Sequence, residues 1–253
     1  MSGPYKRPFF SHGDGHYSPV NTDEDVYPKA LYHAVPDAMG AGFARDFINW
    51  TAHLERGFSR GGDGEHRRDV EAAGLEACGP YGHELEAVVR GRYHEALEPC
   101  GIEPFEATWC EMNAVGFLEG DRFRWHTDHF QSSVNLRRET KGITFIYYAH
   151  QEPRPFSGGG LEFADGTLIE PDNDLLLFIN PYQRHQVHRV RLFDGADPWR
   201  GGRWTLSGWL HRPESEVPDP TWHMEAGAPS NYVVQYAQAA SAAGKDRGGR
   251  WRP

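Results

Sequence analysis

From Phe105 onward the chain alternates short apolar runs with clusters of turn residues, and this pattern constrains the fold most. The turns include Ser157–Gly160, Ala164–Gly166 and Asn180-Pro181. About eight short strands with regular turns between them are typical of a jelly roll or a β-barrel. The predicted strands are Phe105–Val115, Phe123–Asp128, Gly142–Tyr148, Gly160–Phe163, Thr167–Ile169, Leu175–Ile179, His185–Val190 and Arg203–His211.

Helices are predicted before these strands. Asp37 is placed to cap a helix whose apolar side chains recur at helical spacing. These side chains are Phe43, Phe47, Trp50, Leu54 and Phe58. A second helix is predicted near Tyr81–Leu97, and the glycine-rich, charged stretch Ser59–Arg68 is predicted to be a loop. The fold class is therefore an all-β core with flanking helices (α+β), the helices supporting one face of the jelly roll.

The chain is predicted to hold one folded domain between two terminal segments. Residues 1–35, rich in Gly, Pro, Tyr and His, are predicted to be an extended arm. Residues 36–212 form the domain, with helices within 37–100 and the jelly-roll core at 104–211. Residues 213–253 are predicted to be a partly disordered tail. A length of 253 residues fits one large β domain of this kind.

Composition excludes several classes of function. The formal net charge is −10, which argues against a general binder of nucleic acid or of membrane surfaces. The cysteines, Cys78, Cys100 and Cys110, are odd in number and lack Cys-x-x-Cys spacing, so neither a disulfide framework nor a zinc ribbon is expected. No apolar run approaches the length of a transmembrane span. We therefore expect a cytoplasmic protein.

The segment His126-Thr127-Asp128 is the strongest candidate for a metal-binding site. It follows a stretch in which aromatic and polar residues alternate as on a half-buried strand. Residues two apart on a strand point to the same face, so His126 and Asp128 are predicted to face one cavity. The other His-x-Asp, His12-Gly13-Asp14, lies among Gly, Pro and Ser and is predicted to be a loop. Two imidazoles and one carboxylate are the ligands of a facial Fe(II) site.

A third ligand must come from another histidine. His185 and His188 both lie on the strand predicted after the Asn180-Pro181 turn. Because they are three residues apart, they face opposite sides of that strand, and at most one of them points inward. Periodicity alone leaves the choice between them open.

A later strand carries an arginine suited to binding an anion. Arg203, Thr205, Ser207 and Trp209 alternate onto one strand face. The guanidinium can bind a carboxylate with two hydrogen bonds, and the hydroxyls of Thr205 and Ser207 can add donors for a bound co-substrate. Apolar neighbours favour burial of Arg203, and a buried arginine needs an anionic partner. That partner is either a ligand or a protein carboxylate.

These motifs resemble a known family. Over about residues 105–211 the chain is similar to the prolyl 4-hydroxylase-like branch of the Fe(II)/2-oxoglutarate-dependent dioxygenases. The last two of the matching blocks are especially similar to ribosomal prolyl hydroxylases. The blocks are Gly120–Asp128, Ile143–Tyr148, Gly158–Phe163, His185–Val190 and Arg203–His211.

The resemblance implies a fold, a set of cofactors and roles for single residues. The fold would be a double-stranded β-helix (jelly roll), and the cofactors Fe(II), 2-oxoglutarate as co-substrate and O2, with ascorbate as an accessory reductant. His126, Asp128 and His185 would bind the iron, which selects His185 over His188. Arg203 would bind the distal carboxylate of 2-oxoglutarate, and Tyr148 would donate a hydrogen bond to it.

Two departures from the family pattern stand out. Phe117 occupies a position where many relatives have a tyrosine near the co-substrate. The stretch Leu192–Gly202 is longer than the usual link between the last histidine and the arginine. It is either a loop over the mouth of the site or a solvated insertion.

The resemblance predicts a hydroxylase acting on an unactivated C–H bond, with release of succinate and CO2. The acidic, compact chain shows no obvious peptide-docking module, which favours a small-molecule substrate, either an amino acid or a biosynthetic intermediate. The similarity to ribosomal prolyl hydroxylases favours a peptide instead. The alternative within this class is a peptidyl, prolyl-type hydroxylase. A zinc hydrolase with the same three ligands is a second enzyme hypothesis, but it gives Arg203 no role. A non-catalytic metal- or metabolite-binding barrel is a hypothesis of another class. No nucleic-acid or membrane partner is expected, and the sequence predicts no oligomeric state.

Overall fold

A computed structural model describes residues 29–53, 58–60, 68–70, 75–128 and 140–213. Two α-helices lie in these ranges, α1 (Ala41–His53) and α2 (Gly79–Leu97), and a 3-10 turn at Leu75–Cys78 precedes α2. None of the helices in these ranges is long and apolar enough to cross a membrane. The predicted loop His12–Asp14 and most of the predicted tail lie outside the described residues.

The described strands pair antiparallel throughout, which confirms the prediction of an all-β core with flanking helices. The strands are β1 (Tyr32–Val35), β2 (Phe58–Arg60), β3 (Arg68–Val70), β4 (Trp109–Phe117), β5 (Phe123–His126), β6 (Lys141–Ala149), β7 (Phe156–Ser157), β8 (Leu161–Phe163), β9 (Leu168–Ile169), β10 (Leu175–Ile179), β11 (His185–Val187), β12 (Arg191–Leu192) and β13 (Arg203–His211). The major sheet has the order β1-β10-β6-β13-β4-β3-β2, and the minor sheet has the order β5-β11-β8-β9. A third, two-stranded sheet pairs β12 with β7.

The two faces of the major sheet bury different groups. On β6, Ile143, Phe145 and Tyr147 belong to a core shared with the helices, which we call the helix-side core. Ile146 and Tyr148 of the same strand belong to a second cluster that includes residues of the minor sheet, which we call the interior core. This follows from the two-residue period of a strand, which sends neighbouring side chains to opposite faces. The interior core therefore lies between the two sheets of a jelly roll.

The helices cover one face of the major sheet, as predicted. Phe47 of α1 is fully buried in the helix-side core, as are Leu85 and Val89 of α2. The four-residue spacing of Leu85 and Val89 places them on one side of the helix. Both helices therefore stabilise the sheet from the side opposite the interior core.

The predicted cap at Asp37 is wrong. Asp37 has a φ of 51°, and α1 begins only at Ala41. The carboxylate of Asp174 instead accepts hydrogen bonds from the backbone N–H groups of Met39 (2.9 Å) and Gly40 (2.7 Å). Asp174, in the turn before β10, therefore fixes the turn before the helix.

Other boundaries also differ from the prediction. Tyr32–Val35, within the predicted arm, forms β1 and pairs with β10. Both ends of the predicted loop Ser59–Arg68 lie in the paired strands β2 and β3, while 61–67 lie outside the described residues, and Phe58 lies on β2 rather than on a helix. Hydrophobic periodicity within one segment does not show which other segment that strand pairs with.

Candidate metal centre

Three of the predicted residues converge between the sheets. His126 ends β5, His185 begins β11, and the two are register partners in the minor sheet. Asp128 follows two residues after His126. Its Oδ1 lies 3.6 Å from Nε2 of His126 and 4.0 Å from Nε2 of His185. The three ligand atoms lie within 4.8 Å of one another, so they can bind a single ion.

The backbone sets the same tautomer in both histidines. Nδ1 of His126 is 2.7 Å from the carbonyl oxygen of Arg124, and Nδ1 of His185 is 2.9 Å from that of Gln183. A carbonyl oxygen only accepts, so each Nδ1 carries the proton. Each Nε2 is then left with its lone pair, which is the arrangement that metal-binding histidines use.

Charge at the site suits a cation. Burial, followed by the neighbouring His126, lowers the pKa of His185 to about 4 against the opposing effect of Asp128, so this imidazole is neutral at neutral pH. Burial alone raises the pKa of Asp128, but interactions with the two histidines and with Lys141 outweigh it and hold that pKa below its usual range. The hydroxyl of Thr144 donates a 2.8 Å hydrogen bond to Oδ2 of Asp128. Asp128 is therefore an oriented carboxylate.

Arg203 lies on the interior face of β13 and is 2% exposed. Its guanidinium carbon is 4.7 Å from the ring centres of both Phe117 and Tyr148. Gly159, at a φ of 74°, approaches so closely that a Cβ there would lie 2.9 Å from Cδ of Arg203. Two aromatic rings and a glycine turn thus hold the arginine in place.

Within the described part of the chain, Arg203 has no carboxylate partner. Its Nε is buried without a hydrogen-bond partner, as is the hydroxyl of Tyr148. Burial lowers the pKa of Arg203 and raises that of Tyr148, and each group opposes the shift of the other. A buried cation beside an unused hydroxyl is chemically suited to a carboxylate ligand.

The predicted hydroxyl residues share this face. Thr205 is the register partner of Tyr148 and Val115, and its hydroxyl donates to the Val115 carbonyl at 3.3 Å. Ser207 lies one step further along the same face and is partly exposed. The residues present fit both groups that the resemblance implies, namely a ferrous ion at the triad and a dicarboxylate at Arg203.

The other candidate residues lie elsewhere. β11 ends at Val187, and Nε2 of His188 contacts Oε2 of Glu162 at 2.7 Å, so His188 is not part of the triad. The stretch Leu192–Gly202 places Trp199 against Trp204, in the helix-side core. Phe117 brings a ring but no hydroxyl to Arg203, so the hydrogen bond of a tyrosine there is absent.

Sequence reasoning missed two residues beside the triad, Thr144 and Lys141. Thr144 orients Asp128, and Lys141 donates a 3.2 Å hydrogen bond to the Asp128 backbone oxygen. The ammonium of Lys141 lies 3.1 Å from the ring centre of Trp209. The alternation on β13 placed Trp209 on the face of Arg203, but it could not indicate these contacts.

Fold and site together define a class, a jelly roll with a two-histidine, one-aspartate site for a single metal ion. Residues 111–211 match the family model of the 2OG-Fe(II) oxygenase superfamily, so this part of the chain is similar to that superfamily. The predicted family is thereby confirmed. The predicted cofactor set of Fe(II), 2-oxoglutarate and O2 is confirmed as the set that this family uses, and the triad is a candidate set of metal ligands.

One curated relative is an uncharacterized PKHD-type hydroxylase, sll0191, of Synechocystis sp. (strain ATCC 27184 / PCC 6803 / Kazusa). It is 29% identical over 145 residues, which are 51% of this chain and 46% of the relative. The chain therefore spans less than half the length of that relative.

Solved structures share the fold. A prolyl-4-hydroxylase from Pseudomonas putida is 19% identical, with a TM-score of 0.50 over 73% of this chain and 94% of its own. A prolyl hydroxylase from Trichoplax adhaerens, in complex with a hypoxia inducible factor peptide fragment, is 14% identical, with a TM-score of 0.50 over 72% and 84%. The epimerase SnoN from nogalamycin biosynthesis is 13% identical, with a TM-score of 0.50 over 73% and 81%.

Proposed function

We propose that this protein is an Fe(II)- and 2-oxoglutarate-dependent dioxygenase. It hydroxylates an unactivated C–H bond of a small molecule, an amino acid or a biosynthetic intermediate, and releases succinate and CO2. One observation carries the proposal: the triad of His126, Asp128 and His185 shares the interior of the jelly roll with Arg203, a buried guanidinium without a carboxylate partner among the described residues.

Different side chains bind the metal and the co-substrate. The two Nε2 atoms and the Asp128 carboxylate would hold the metal. Arg203 binds the distal carboxylate of 2-oxoglutarate, and Tyr148 donates its hydroxyl to the same group. Thr205 and Ser207 line the face on which this co-substrate lies. When bound, ferrous iron supplies the oxidising chemistry with 2-oxoglutarate and dioxygen.

The surrounding protein restricts access of water. The side chains of His126, Asp128 and His185 are 18%, 9% and 3% exposed, so His126 is the most exposed of these three side chains. A substrate carbon must therefore enter the interior to meet the metal. This burial supports a compact substrate that enters along the His126 edge.

A peptidyl substrate is the second candidate. It is favoured by the likeness to two prolyl hydroxylases, one of them in complex with a peptide fragment. SnoN, an alpha-ketoglutarate-dependent epimerase of nogalamycin biosynthesis, shows the same fold in a protein named for another activity. The fold therefore accommodates both substrate classes, and the choice must be tested directly.

The reaction class is tested first, by anaerobic titration with Fe(II) and 2-oxoglutarate. The expected result is the weak visible charge-transfer band of the iron chelate, which a zinc hydrolase or a non-catalytic barrel would not give. Absence of the band with bound Fe(II) would overturn the proposal.

The substrate class is tested by mass spectrometry. Free amino acids, biosynthetic intermediates and proline-containing peptides are incubated with the protein, and succinate and any product heavier by one oxygen atom are measured. A hydroxylated small molecule supports the first candidate. Hydroxylation of peptides alone would replace it with the second.

A cytoplasmic location is also proposed. Cys78, Cys100 and Cys110 are all buried and unpaired, which supports a reducing compartment.

A further inference from the structure

Lys141 is a buried cation beside the metal-binding carboxylate. It begins β6, is 3% exposed, and lies opposite His211 in the register of β13. Burying an ammonium group costs several kcal/mol unless the group is well partnered. Contacts with neighbouring groups must therefore offset the cost of burying the Lys141 ammonium group.

Two of its contacts reach into the candidate site. Nζ donates a 3.2 Å hydrogen bond to the backbone oxygen of Asp128 and lies 3.1 Å from the ring centre of Trp209. The second contact is a cation–π interaction at close range. Trp209 is the register partner of Thr144, whose hydroxyl binds Oδ2 of Asp128. One ammonium group thus joins the backbone of a metal ligand to an aromatic ring of the interior face.

Lys141 and Thr144 bind different atoms of Asp128. Lys141 binds the backbone oxygen, while Thr144 binds Oδ2 and Oδ1 lies nearest the two imidazoles. The ammonium therefore fixes the main chain of the ligand without occupying an oxygen that binds the metal. Its charge still repels a divalent cation, so two effects of opposite sign act on metal affinity.

We propose that Lys141 is a positioning residue of the metal centre, which holds Asp128 and Trp209 in the geometry that metal and substrate require. The inference rests on the proposed function, since it concerns the same site. The gain in metal affinity from fixing Asp128 is larger than the loss from repulsion between Lys141 and the metal. Loss of an outer-shell partner of this kind typically weakens metal binding by about 10- to 100-fold.

Metal affinity is tested with Co(II) alone on the full chain, in the wild type, Lys141→Met and Lys141→Arg. We expect Lys141→Met to weaken Co(II) binding by about 10- to 100-fold, and Lys141→Arg to stay within about threefold of the wild type. Lys29→Met, which removes the same charge from an exposed position, is the matched control and should bind as the wild type does. Unchanged or tighter binding by Lys141→Met, or equal losses in Met and Arg, would overturn the proposal.

A second measurement separates positioning from general stability. The indole N–H resonance of Trp209 is assigned by its absence in Trp209→Phe and followed by NMR in each metal-free variant. It should shift in Lys141→Met and stay in place in Lys29→Met, because only the first removes the cation from the ring. An unshifted resonance contradicts the proposal. If Lys141→Met does not fold, the same two measurements are made on Lys141→Gln. We expect the same loss of Co(II) affinity and a shifted indole resonance.

Co(II) binding does not require oxygenase chemistry. If the wild type binds Co(II) but gives no charge-transfer band with Fe(II) and 2-oxoglutarate, the proposed function fails. The role of Lys141 can then still be tested by the Co(II) affinity of its variants. If the band forms and Lys141→Met binds Co(II) normally, only this inference fails.

Discussion

The two faces of β13 differ in whether their buried polar atoms have hydrogen-bond partners. On the helix side, Trp204, Leu206 and Leu210 are fully buried, and the indole N–H of Trp204 donates to the Trp199 carbonyl. On the interior side, Nε of Arg203 and Nε1 of Trp209 are buried without a hydrogen-bond partner. The indole N–H of Trp204 therefore has its hydrogen-bond partner within the protein. The interior face holds polar atoms that a ligand can satisfy.

This difference distinguishes a stabilising core from a functional site in one sheet. Buried polar atoms without partners destabilise a fold, so they are uncommon in a packed core. Here the hydroxyl of Tyr148 belongs to the same set as the two nitrogens of β13. Substitutions on the interior face should therefore change binding, and substitutions on the helix side should change stability.

The largest effect is expected for Asp128→Ala. Removing the only carboxylate of the triad leaves two imidazoles, so turnover of 2-oxoglutarate to succinate should fall below detection. The measurement is succinate release at saturating Fe(II), with circular dichroism as the check of folding. Turnover at the wild-type rate would remove Asp128 from the ligand set.

Arg203→Met should separate binding from stability. A buried charged pair that loses one partner costs about 3–5 kcal/mol, so 2-oxoglutarate affinity should fall by at least about 100-fold. Unfolding stability in the absence of ligand should be equal or higher, because an apolar side chain replaces an unpaired buried cation. Calorimetric titration and denaturant unfolding give the two values. Normal 2-oxoglutarate affinity would assign Arg203 a structural role.

Leu206→Ala is the matched change on the opposite face. Truncating a fully buried leucine should lower the free energy of unfolding by about 2–5 kcal/mol. The affinity of the folded protein for 2-oxoglutarate should not change, since Leu206 faces the helices. Urea unfolding and calorimetry on the same sample test both statements. A loss of affinity as large as that of Arg203→Met would mean that the two faces are not independent.

His188→Ala should have the smallest effect. Its imidazole is partly exposed and paired with Glu162, and an exposed pair of this kind contributes about 0–1 kcal/mol. Fe(II) binding should stay within about twofold of the wild type, as measured by competition with a chelating dye. A loss as large as that of His185→Ala would show that the wrong imidazole had been chosen.

Strand periodicity explains why much of the site could be predicted from the sequence. The two-residue period placed Arg203, Thr205, Ser207 and Trp209 on one face, and the structure places them there. The same argument could not choose between His185 and His188. Only the resemblance to a family did so, because the end of β11 at Val187 is not visible in the apolar pattern.

Long-range contacts explain what could not be predicted. Asp174 fixes the turn before α1 across 135 residues, which no local spacing reveals. A cap was expected at Asp37 because acidic residues before a helix usually act locally. The role of Lys141 was missed for a related reason: its contact with Trp209 exists only after β6 and β13 pair.

The hydrogen bonds from the two Nδ1 atoms to backbone carbonyls have a practical consequence for handling the protein. Since backbone carbonyls of β5 and of the segment before β11, rather than a metal, set the imidazole orientation, the two histidines are oriented before any ion arrives. Such a site ranks divalent ions by intrinsic affinity, with nickel, copper and zinc ahead of iron. Nickel-affinity chromatography would therefore load the wrong ion, and samples need stripping with a chelator before ferrous iron is supplied under anaerobic conditions.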